Sequence, residues 1–297
     1  MSTQSAKFRA PVVDTSATTE IADGVWVIPD SDYVQMVPNI GIIVGARATL
    51  VIDTGFGPDN ARAVLKEARR LSGRRPIFLT HTHCHPEHGF GANVVARDVI
   101  VLYNEAQWIE LQEKGPTLLR MFGDRMPALA SMLDGVEFVR PDIRYTGSLD
   151  MDLGGERIVE LREVGGGHSR GDQAILIRTS KSVLFTGDLV EERTFSVLGD
   201  HESHVIPWID RLNRLEQLAP DIVVPGHGHV GGPELIAKHR GYFELARRRV
   251  YELRAAALSE AEIVDRVSEE LLDLHPDWGN PDWARKTVSD LTWPARA

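Results

Sequence analysis

The sequence predicts an α/β protein built as a four-layer αββα sandwich with two mixed β-sheets. Short segments rich in strand-forming residues alternate with longer segments of helical periodicity. There is also a faint internal repeat, because residues 40–55 and 174–188 both read as hairpins whose second strand ends in Thr-Gly. Two similar halves, each a mixed sheet covered by helices, are expected to stack as four layers.

In the first half, each predicted element follows from its apolar pattern. A helix is expected at 59–71 because Val64, Leu65, Ala68 and Leu71 share one face. Strands are expected at 24–29, 40–44, 49–53 and 76–80. The segment 76–80 is almost entirely apolar, which indicates a strand buried on both faces.

The second half begins with a helical stretch at 104–133 and then returns to strands. Strands are predicted at 135–139, 148–151, 157–164, 174–178, 183–186 and 221–225, and helices at 207–218, 233–258 and 259–274. Ser259 followed by Glu262 predicts a capping box at the start of the last helix.

Composition narrows the classes of function. The chain has 297 residues and a formal charge of −10, which argues against an extended nucleic-acid or anionic-membrane surface. Its single cysteine, Cys84, excludes an internal disulfide framework and suits a reducing compartment. The N-terminus lacks a secretory apolar core, and no window approaches the roughly 20 apolar residues of a membrane span. We therefore expect a cytoplasmic protein with a small-molecule substrate and no nucleic-acid or membrane partner.

A cluster of histidines directly follows the predicted strand 76–80. It places four histidines and Glu87 within residues 81–88. In an extended loop, residues i and i+2 point the same way, so His83 and His85 can hold one cation together. Glu87 and His88, beyond the bend at Pro86, can reach a second cation beside it. This density of imidazole and carboxylate groups favours a metal site over a solvated loop.

The cluster resembles the H-x-H-x-D-H signature of the metallo-β-lactamase-fold hydrolases. Two registers are possible. If the signature begins at His81, two of its metal ligands are replaced by other residues. If it begins at His83, the sequence departs from the signature only at Glu87, where the family has aspartate. We adopt the second register, in which His81 becomes a supporting or structural residue and Cys84 a small packed side chain.

Three later turns resemble the same family. Residues 165–172 are similar to its glycine-rich histidine loop, residues 184–188 to its Gly-Asp turn and residues 223–228 to its Pro-Gly-His-Gly turn. The resemblance implies a first site of His83, His85 and His168, a second site of Glu87, His88 and His227, and a bridging Asp188. It also implies that Asp53 supports the site without binding metal, and that Glu87 and Asp188 are the catalytic residues.

This ligand set implies a dinuclear hydrolase. Two divalent ions, zinc by default with iron or manganese possible, would activate a hydroxide to attack a small ester, lactone or thioester. Asp188 argues against the antibiotic-hydrolysing β-lactamases, which typically have Cys or Ser there, and the local motifs look most like the quinoprotein relay-type and glyoxalase II-like branches. Two alternatives stay open. One is a mononuclear iron, sulfur-dioxygenase-like enzyme using His83, His168 and Asp188; the other is a non-catalytic metal-binding member, conceivable because of Glu87.

The resemblance covers about residues 21–232, and the remaining segments are assigned by pattern. We expect a flexible leader at 1–20, the catalytic domain at 21–258 and a helical tail at 259–297 that packs on the domain or on a partner subunit, giving a possible homo-oligomer. His201 and His204 could line the pocket mouth, but a solvated loop is favoured. His229 could contact substrate, but a surface or supporting role is favoured. The middle helices could form an apolar wall or simply pack in the core, through Trp108, Met121, Phe122 and Met126.

Overall fold

Two mixed β-sheets form the centre of the protein in a computed structural model, which describes residues 9–30, 32–125 and 127–292. The first sheet has its strands in chain order, antiparallel from β1 to β4 and parallel from β4 to β7. Its strands are β1 (Thr19–Ala22), β2 (Val25–Ile28), β3 (Ile40–Val44), β4 (Thr49–Ile52), β5 (Ile77–Thr80), β6 (Ile100–Asn104) and β7 (Ile143–Tyr145).

The second sheet has the order β12-β11-β10-β9-β8, in which only β11 and β12 run parallel. Its strands are β8 (Ser148–Asp152), β9 (Ile158–Glu163), β10 (Gln173–Arg178), β11 (Ser182–Gly187) and β12 (Ile222–Pro225). Both sheets are therefore mixed, as the sequence predicts.

Helices cover the outer faces of the two sheets. Val64 and Ala68 of α1 pack against the first sheet, whereas Trp208 of α5 and Phe243 of α6 pack against the second. The helices are α1 (Pro58–Ser72), α2 (Pro86–Gly89), α3 (Glu105–Arg125), α4 (Pro127–Ala130), α5 (Val205–Glu216), α6 (Glu234–Ala255), α7 (Glu260–Leu274) and α8 (Asp282–Thr292). The predicted four-layer sandwich is thus confirmed.

The two sheets approach closely where β3 faces β11. A Cβ atom added at Gly41 would lie 2.7 Å from the ring of Phe185, so only glycine fits at this contact. Ile43, Ile175 and Val183 belong to the same fully buried inter-sheet core. This core holds the ends of β4, β5, β11 and β12 in place relative to one another.

The prediction of a strand at 135–139 is wrong. The backbone of this segment forms no strand pairing in either sheet. Its apolar side chains are half-buried by packing, as Phe138 shows by contacting Phe90 with ring centroids 5.1 Å apart. The strands β6 and β7, which pair in parallel beside β5, were not predicted. An apolar pattern indicates burial, but it does not say which segment forms hydrogen bonds in the ladder.

The two terminal segments both lie against the domain where the structure describes them. Within the predicted leader, Val13 is buried and its N–H donates to Asn60 of α1 at 3.0 Å. At the other end, the capping box at Ser259 and Glu262 is present, and α7 and α8 pack on α5 and α6 of the same chain. Among the described helices, none has the length and apolar character needed to cross a bilayer.

Candidate metal centre

The candidate ligands lie at the ends of strands on one edge of the sandwich. The histidine cluster follows β5, Asp188 follows β11 and His227 follows β12 by two residues. His168 comes from the loop between β9 and β10. Three of these four segments follow strands whose carboxyl ends meet at this edge, so the sheets bring residues that are far apart in sequence into one site.

The structure brings His83, His85 and His168 together as one group, with potential ligand atoms all within 4.8 Å of one another. The Nε2 of His168 lies 2.8 Å from the Nδ1 of His85. Asp188 Oδ2 faces this group, 3.9 Å from His83 Nε2 and 3.7 Å from His168 Nε2.

A second group contains Glu87, His88, Asp188 and His227, again within 4.8 Å. Here Asp188 uses its other oxygen: Oδ1 lies 3.3 Å from His88 Nε2 and 3.6 Å from His227 Nε2. Burial opposes ionisation of Asp188, but the adjoining histidines, His227 first, outweigh it and hold the pKa of this carboxyl well below its usual value. Each oxygen of one ionised carboxylate therefore faces a different group of imidazoles.

Protein partners orient four of the five histidines through their Nδ1 atoms. This leaves Nε2 of each ring facing the site, an arrangement typical of metal-binding histidines. The four Nδ1 partners are Thr82 Oγ1 for His83 (3.1 Å), Asp53 Oδ2 for His88 (2.8 Å), the Val197 carbonyl for His168 (3.1 Å) and the Val37 carbonyl for His227 (2.9 Å).

The donor set fits divalent metal ions. Four buried atoms at the centre of the site have no hydrogen-bond partner in the protein. Such atoms are costly to bury unpaired, at about 1–3 kcal/mol each, and imidazole nitrogen with carboxylate oxygen suits zinc, iron or manganese. The four atoms are His83 Nε2, Glu87 Oε2, His88 Nε2 and Asp188 Oδ1.

Two further residues shape the loops that carry the ligands. The Asp172 carboxylate accepts hydrogen bonds from the backbone N–H groups of Gly167, His168 and Ser169, at 3.1, 2.8 and 2.9 Å, and so fixes the His168 loop. A Cβ atom at Gly226 would lie 1.9 Å from Asp188 Oδ1. Glycine before His227 is therefore required for Asp188 to occupy the centre.

Asp53 lies behind the second group and outside both ligand groups. It accepts hydrogen bonds from the N–H and hydroxyl of Thr82, at 2.7 and 2.9 Å, as well as from His88. Its backbone φ of 67° is left-handed, a region that Asp and Asn tolerate better than most residues. Its position matches the supporting role implied by the sequence resemblance.

We expect Asp53→Asn to weaken binding of the second metal equivalent by about 10–100-fold, because the variant loses the charged acceptor that orients His88. Asparagine keeps the size and backbone preference of aspartate, so the fold should persist. Calorimetric titration of the metal-free protein with Zn²⁺ measures the effect. Asp59→Asn, an exposed change on α1, should bind like the unmodified protein; equal affinities for both variants would contradict this role of Asp53.

Several residues singled out by the sequence lie outside the ligand groups. His81 is buried behind them, and burial lowers its pKa to about 4. Cys84 is buried among apolar side chains, and burial raises the pKa of its thiol well above the usual value. His229 is exposed and pairs with the Tyr33 hydroxyl at 2.7 Å.

Of the two alternatives for His201 and His204, the structure favours a solvated loop over the pocket mouth. His201 is exposed, while His204 Nδ1 pairs with Asp290 of α8 at 2.7 Å. Their neighbours Gly199 and Asp200 line the cavity instead. Of the predicted apolar wall, Met121 and Phe122 line the cavity. Trp108 of α3 is half-buried against a neighbouring apolar cluster, and Met126 lies outside the described residues.

Sequence reasoning missed Asp200 and Lys114, which form a charged network beside His85. The Nζ of Lys114 lies 2.6 Å from Glu110, 3.0 Å from Asp200 and 2.8 Å from Glu202, so this third acidic group already holds a cation. Asp200 Oδ2 lies 3.7 Å from His85 Nε2. These residues belong to no motif, and only the fold brings them together.

Glu191 was also missed. It lines the cavity three residues after Asp188, its Oε2 has no hydrogen-bond partner, and burial raises its pKa well above the usual value. Its backbone N–H donates to Nδ1 of the buried His239 at 3.2 Å. The Nε2 of His239 lies 2.8 Å from the Ser196 hydroxyl.

Acid should destabilise the protein through His239. Burial lowers its pKa from 6.5 to about 4, so below pH 6.5 the unfolded chain binds a proton that the folded chain refuses. The resulting loss in free energy of unfolding develops between pH 6.5 and about 4 and amounts to about 3 kcal/mol. Urea unfolding in chelator, compared between the unmodified protein and His239→Gln, isolates this contribution. His81 has a similarly lowered pKa, so part of the acid sensitivity should remain in His239→Gln, but the loss should be about 3 kcal/mol smaller than in the unmodified protein. The exposed-site variant His201→Gln should lose as much as the unmodified protein; an equal loss in His239→Gln would refute the prediction.

A cavity of about 960 Å³ opens onto both groups, with His85, Glu87, His168, Asp188 and His227 in its walls. The site is thus a buried cluster of ligand atoms at the base of a large pocket. A family model described as the metallo-beta-lactamase superfamily matches residues 34–227. The chain belongs to the metallo-β-lactamase superfamily.

Two relatives of this chain have names that describe different activities. A linear primary-alkylsulfatase of Pseudomonas sp. is 23% identical over 227 residues, covering 66% of this chain but only 42% of that protein, so the chain spans less than half its length. A metallo-beta-lactamase type 2 of Bacteroides fragilis is 22% identical over 233 residues, covering 76% of this chain and 84% of the relative.

Solved structures share the fold at low sequence identity. A sec-alkylsulfatase from Pseudomonas sp. superposes with a TM-score of 0.69 at 18% identity, covering 93% of this chain and 50% of that one. A metallo-beta-lactamase from Pontibacter korlensis gives 0.60 at 22% identity, covering 75% and 96%. These similarities establish the fold, whereas kinship with the relay-type or glyoxalase II-like branches stays a prediction.

Proposed function

We propose that the protein is a metal-dependent hydrolase that holds two divalent ions, zinc by default, and cleaves a small ester, lactone or thioester. The observation that carries this proposal is the placement of Asp188. Its Oδ2 faces His83 and His168, while its Oδ1 faces His88 and His227. A carboxylate shared between two groups of imidazoles supports two adjacent ions, the arrangement of two-metal hydrolytic sites.

Two bound ions would lower the pKa of a shared water toward about 7 and polarise the acyl oxygen of the substrate. The residues of the chain supply position and proton handling. Glu87, whose buried Oε2 lacks a protein partner, can accept a hydrogen bond from the attacking water and orient it. Thr82 and Asp53 hold His88 in place behind it.

The second group favours this reading over the mononuclear iron alternative. An iron site on His83, His168 and Asp188 would leave Glu87, His88 and His227 without a role, although these three converge on Asp188. The open cavity over the ligands favours an enzyme over a non-catalytic metal-binding protein, because it offers room for a substrate beside them. We also propose that the substrate is not a β-lactam antibiotic, which rests on the sequence resemblance at Asp188.

Metal analysis of the purified protein combined with a substrate panel tests the proposal. The panel contains a 4-nitrophenyl ester, a γ-lactone, an S-acyl thioester, an alkyl sulfate and a chromogenic cephalosporin. We expect close to two divalent ions per chain and turnover of at least one carboxylic ester, lactone or thioester, abolished by chelation and restored by Zn²⁺. Iron near one per chain with oxygen uptake, or two ions with no turnover on the whole panel, would contradict it.

A further inference from the structure

The cavity has apolar lining residues that come from two separate parts of the chain. One part is α3. The other is the segment from residue 278 to the start of α8, which lies outside the stretch matched by the family model. The apolar side chains of this lining are Leu118, Met121, Phe122, Trp278, Pro281 and Trp283.

The C-terminal segment is fixed in place beside the metal centre. Gly279 donates its N–H to the Arg193 carbonyl at 2.9 Å, and its own carbonyl accepts from Phe195 at 3.1 Å. Trp278 is 9% exposed and stacks on His275, with ring centroids 3.9 Å apart. The segment is therefore attached to the loop that follows Asp188 and presents its tryptophans to the cavity as a built wall.

The charges around the cavity are mostly negative. Among the lining residues that the structure describes, the one cation other than histidine is Arg193, and it is already engaged. Its guanidinium pairs with Asp277 and lies 5.4 Å from the centre of the Tyr33 ring. The acidic side chains that line the cavity in addition to Glu87 and Asp188 are Asp30, Asp200, Asp277 and Asp282, together with Glu191, whose raised pKa favours its neutral form.

From these observations we infer that the site selects esters whose acyl group is bulky, apolar and uncharged, and that it discriminates against acyl groups and leaving groups with negative charge. This inference rests on the proposed hydrolase function and adds the class of substrate. The apolar lining removes acyl surface from water. A substrate anion that lies against this lining, away from the metal centre, would meet carboxylates without a free cationic side chain to pair with. In the reaction, the water oxygen bonds to the acyl carbon, the ester C–O bond breaks and the alcohol leaves with a proton.

A matched set of 4-nitrophenyl esters tests the inference: acetate, hexanoate and the monoester of adipate, which ends the six-carbon acyl chain in a carboxylate. We expect kcat/KM for hexanoate to exceed that for adipate by about 10-fold or more. In Trp283→Ala the ratio of hexanoate to acetate should fall about 10-fold, through KM more than kcat. Tyr251→Ala, an exposed aromatic change on α6, should leave this ratio unchanged.

A second variant keeps the inference testable if Trp283→Ala fails to fold. Asp282 is exposed at the start of α8, and Asp282→Lys places a cation at the cavity rim. In this variant we expect the ratio of kcat/KM for hexanoate to kcat/KM for adipate to fall several-fold. Equal kcat/KM for the two esters in the unmodified protein, or an unchanged preference in Asp282→Lys, would overturn the inference while leaving the hydrolase intact. Absence of hydrolysis on all three esters would also overturn the inference, and absence of hydrolysis on the lactone and the thioester as well would contradict the proposed function.

Discussion

Replacing Asp188 with asparagine should remove metal from both ligand groups and lower kcat by on the order of 10³-fold or more. The side chain keeps its size, but the charge between the two imidazole groups is lost, and an amide nitrogen replaces one of the two oxygens. Its Oδ1 and Oδ2 lie 3.3 to 3.9 Å from four histidine nitrogens, so no other residue can take over both contacts. Metal analysis after dialysis and single-turnover rates on the best ester measure the two effects.

The matched control for this variant is Asp150→Asn, because Asp150 is an exposed carboxylate on β8. It should retain the metal content and the rate of the unmodified protein. If Asp188→Asn instead bound two ions and turned over normally, the shared carboxylate would not be the centre of the site. Retention of one ion with a largely intact rate would contradict the mononuclear alternative as well, because that site also uses Asp188 as a ligand.

Glu87→Ala should lower kcat by about 10²–10⁴-fold and deplete the second site. Glu87 stands where the family signature has aspartate, in the first turn of the short helix α2, and its Oε2 has no partner in the protein. Removing the carboxylate deletes both a ligand atom and the group that orients the attacking water. Metal content and pH–rate profiles of the variant separate these two losses.

The conservative variant Glu87→Asp sharpens this test. It restores a carboxylate with one methylene fewer, and we expect it to recover most of the second-site metal and at least a tenth of the rate. Exposed Glu269→Ala, on α7, is the matched control for removing a glutamate. A nearly normal rate with two ions per chain in Glu87→Ala would refute the role of Glu87.

Much of the fold could be predicted because local pattern and tertiary structure agree. The repeat of two hairpins ending in Thr-Gly predicted that Gly55 and Gly187 mark equivalent turns, and both adopt positive φ, at 77° and 51°. The capping box at Ser259 likewise depends only on neighbouring residues. The strand predicted at 135–139 is absent because Phe138 is half-buried by packing on Phe90, without backbone hydrogen bonds to a neighbouring strand. Local pattern alone does not distinguish these two kinds of burial.

The candidate site likewise has residues that sequence motifs predict and residues that only the fold brings together. The seven predicted ligands all lie in short sequence motifs, so their residue types and spacing were enough to predict a metal site. Glu191 and Lys114 carry no such signal, since their significance depends on burial and on partners distant in sequence. The contribution of Trp278 and Trp283 to the cavity was also invisible, because it depends on how the C-terminal segment returns to the loop after Asp188.

Anomalous diffraction at the zinc absorption edge, from crystals of the zinc-loaded protein, tests the central claim most directly. We predict two peaks on opposite sides of the Asp188 carboxylate, one among His83, His85 and His168 and the other among Glu87, His88 and His227. A single peak, or a second peak that Glu87 and His227 do not touch, would contradict the account of a shared dinuclear centre.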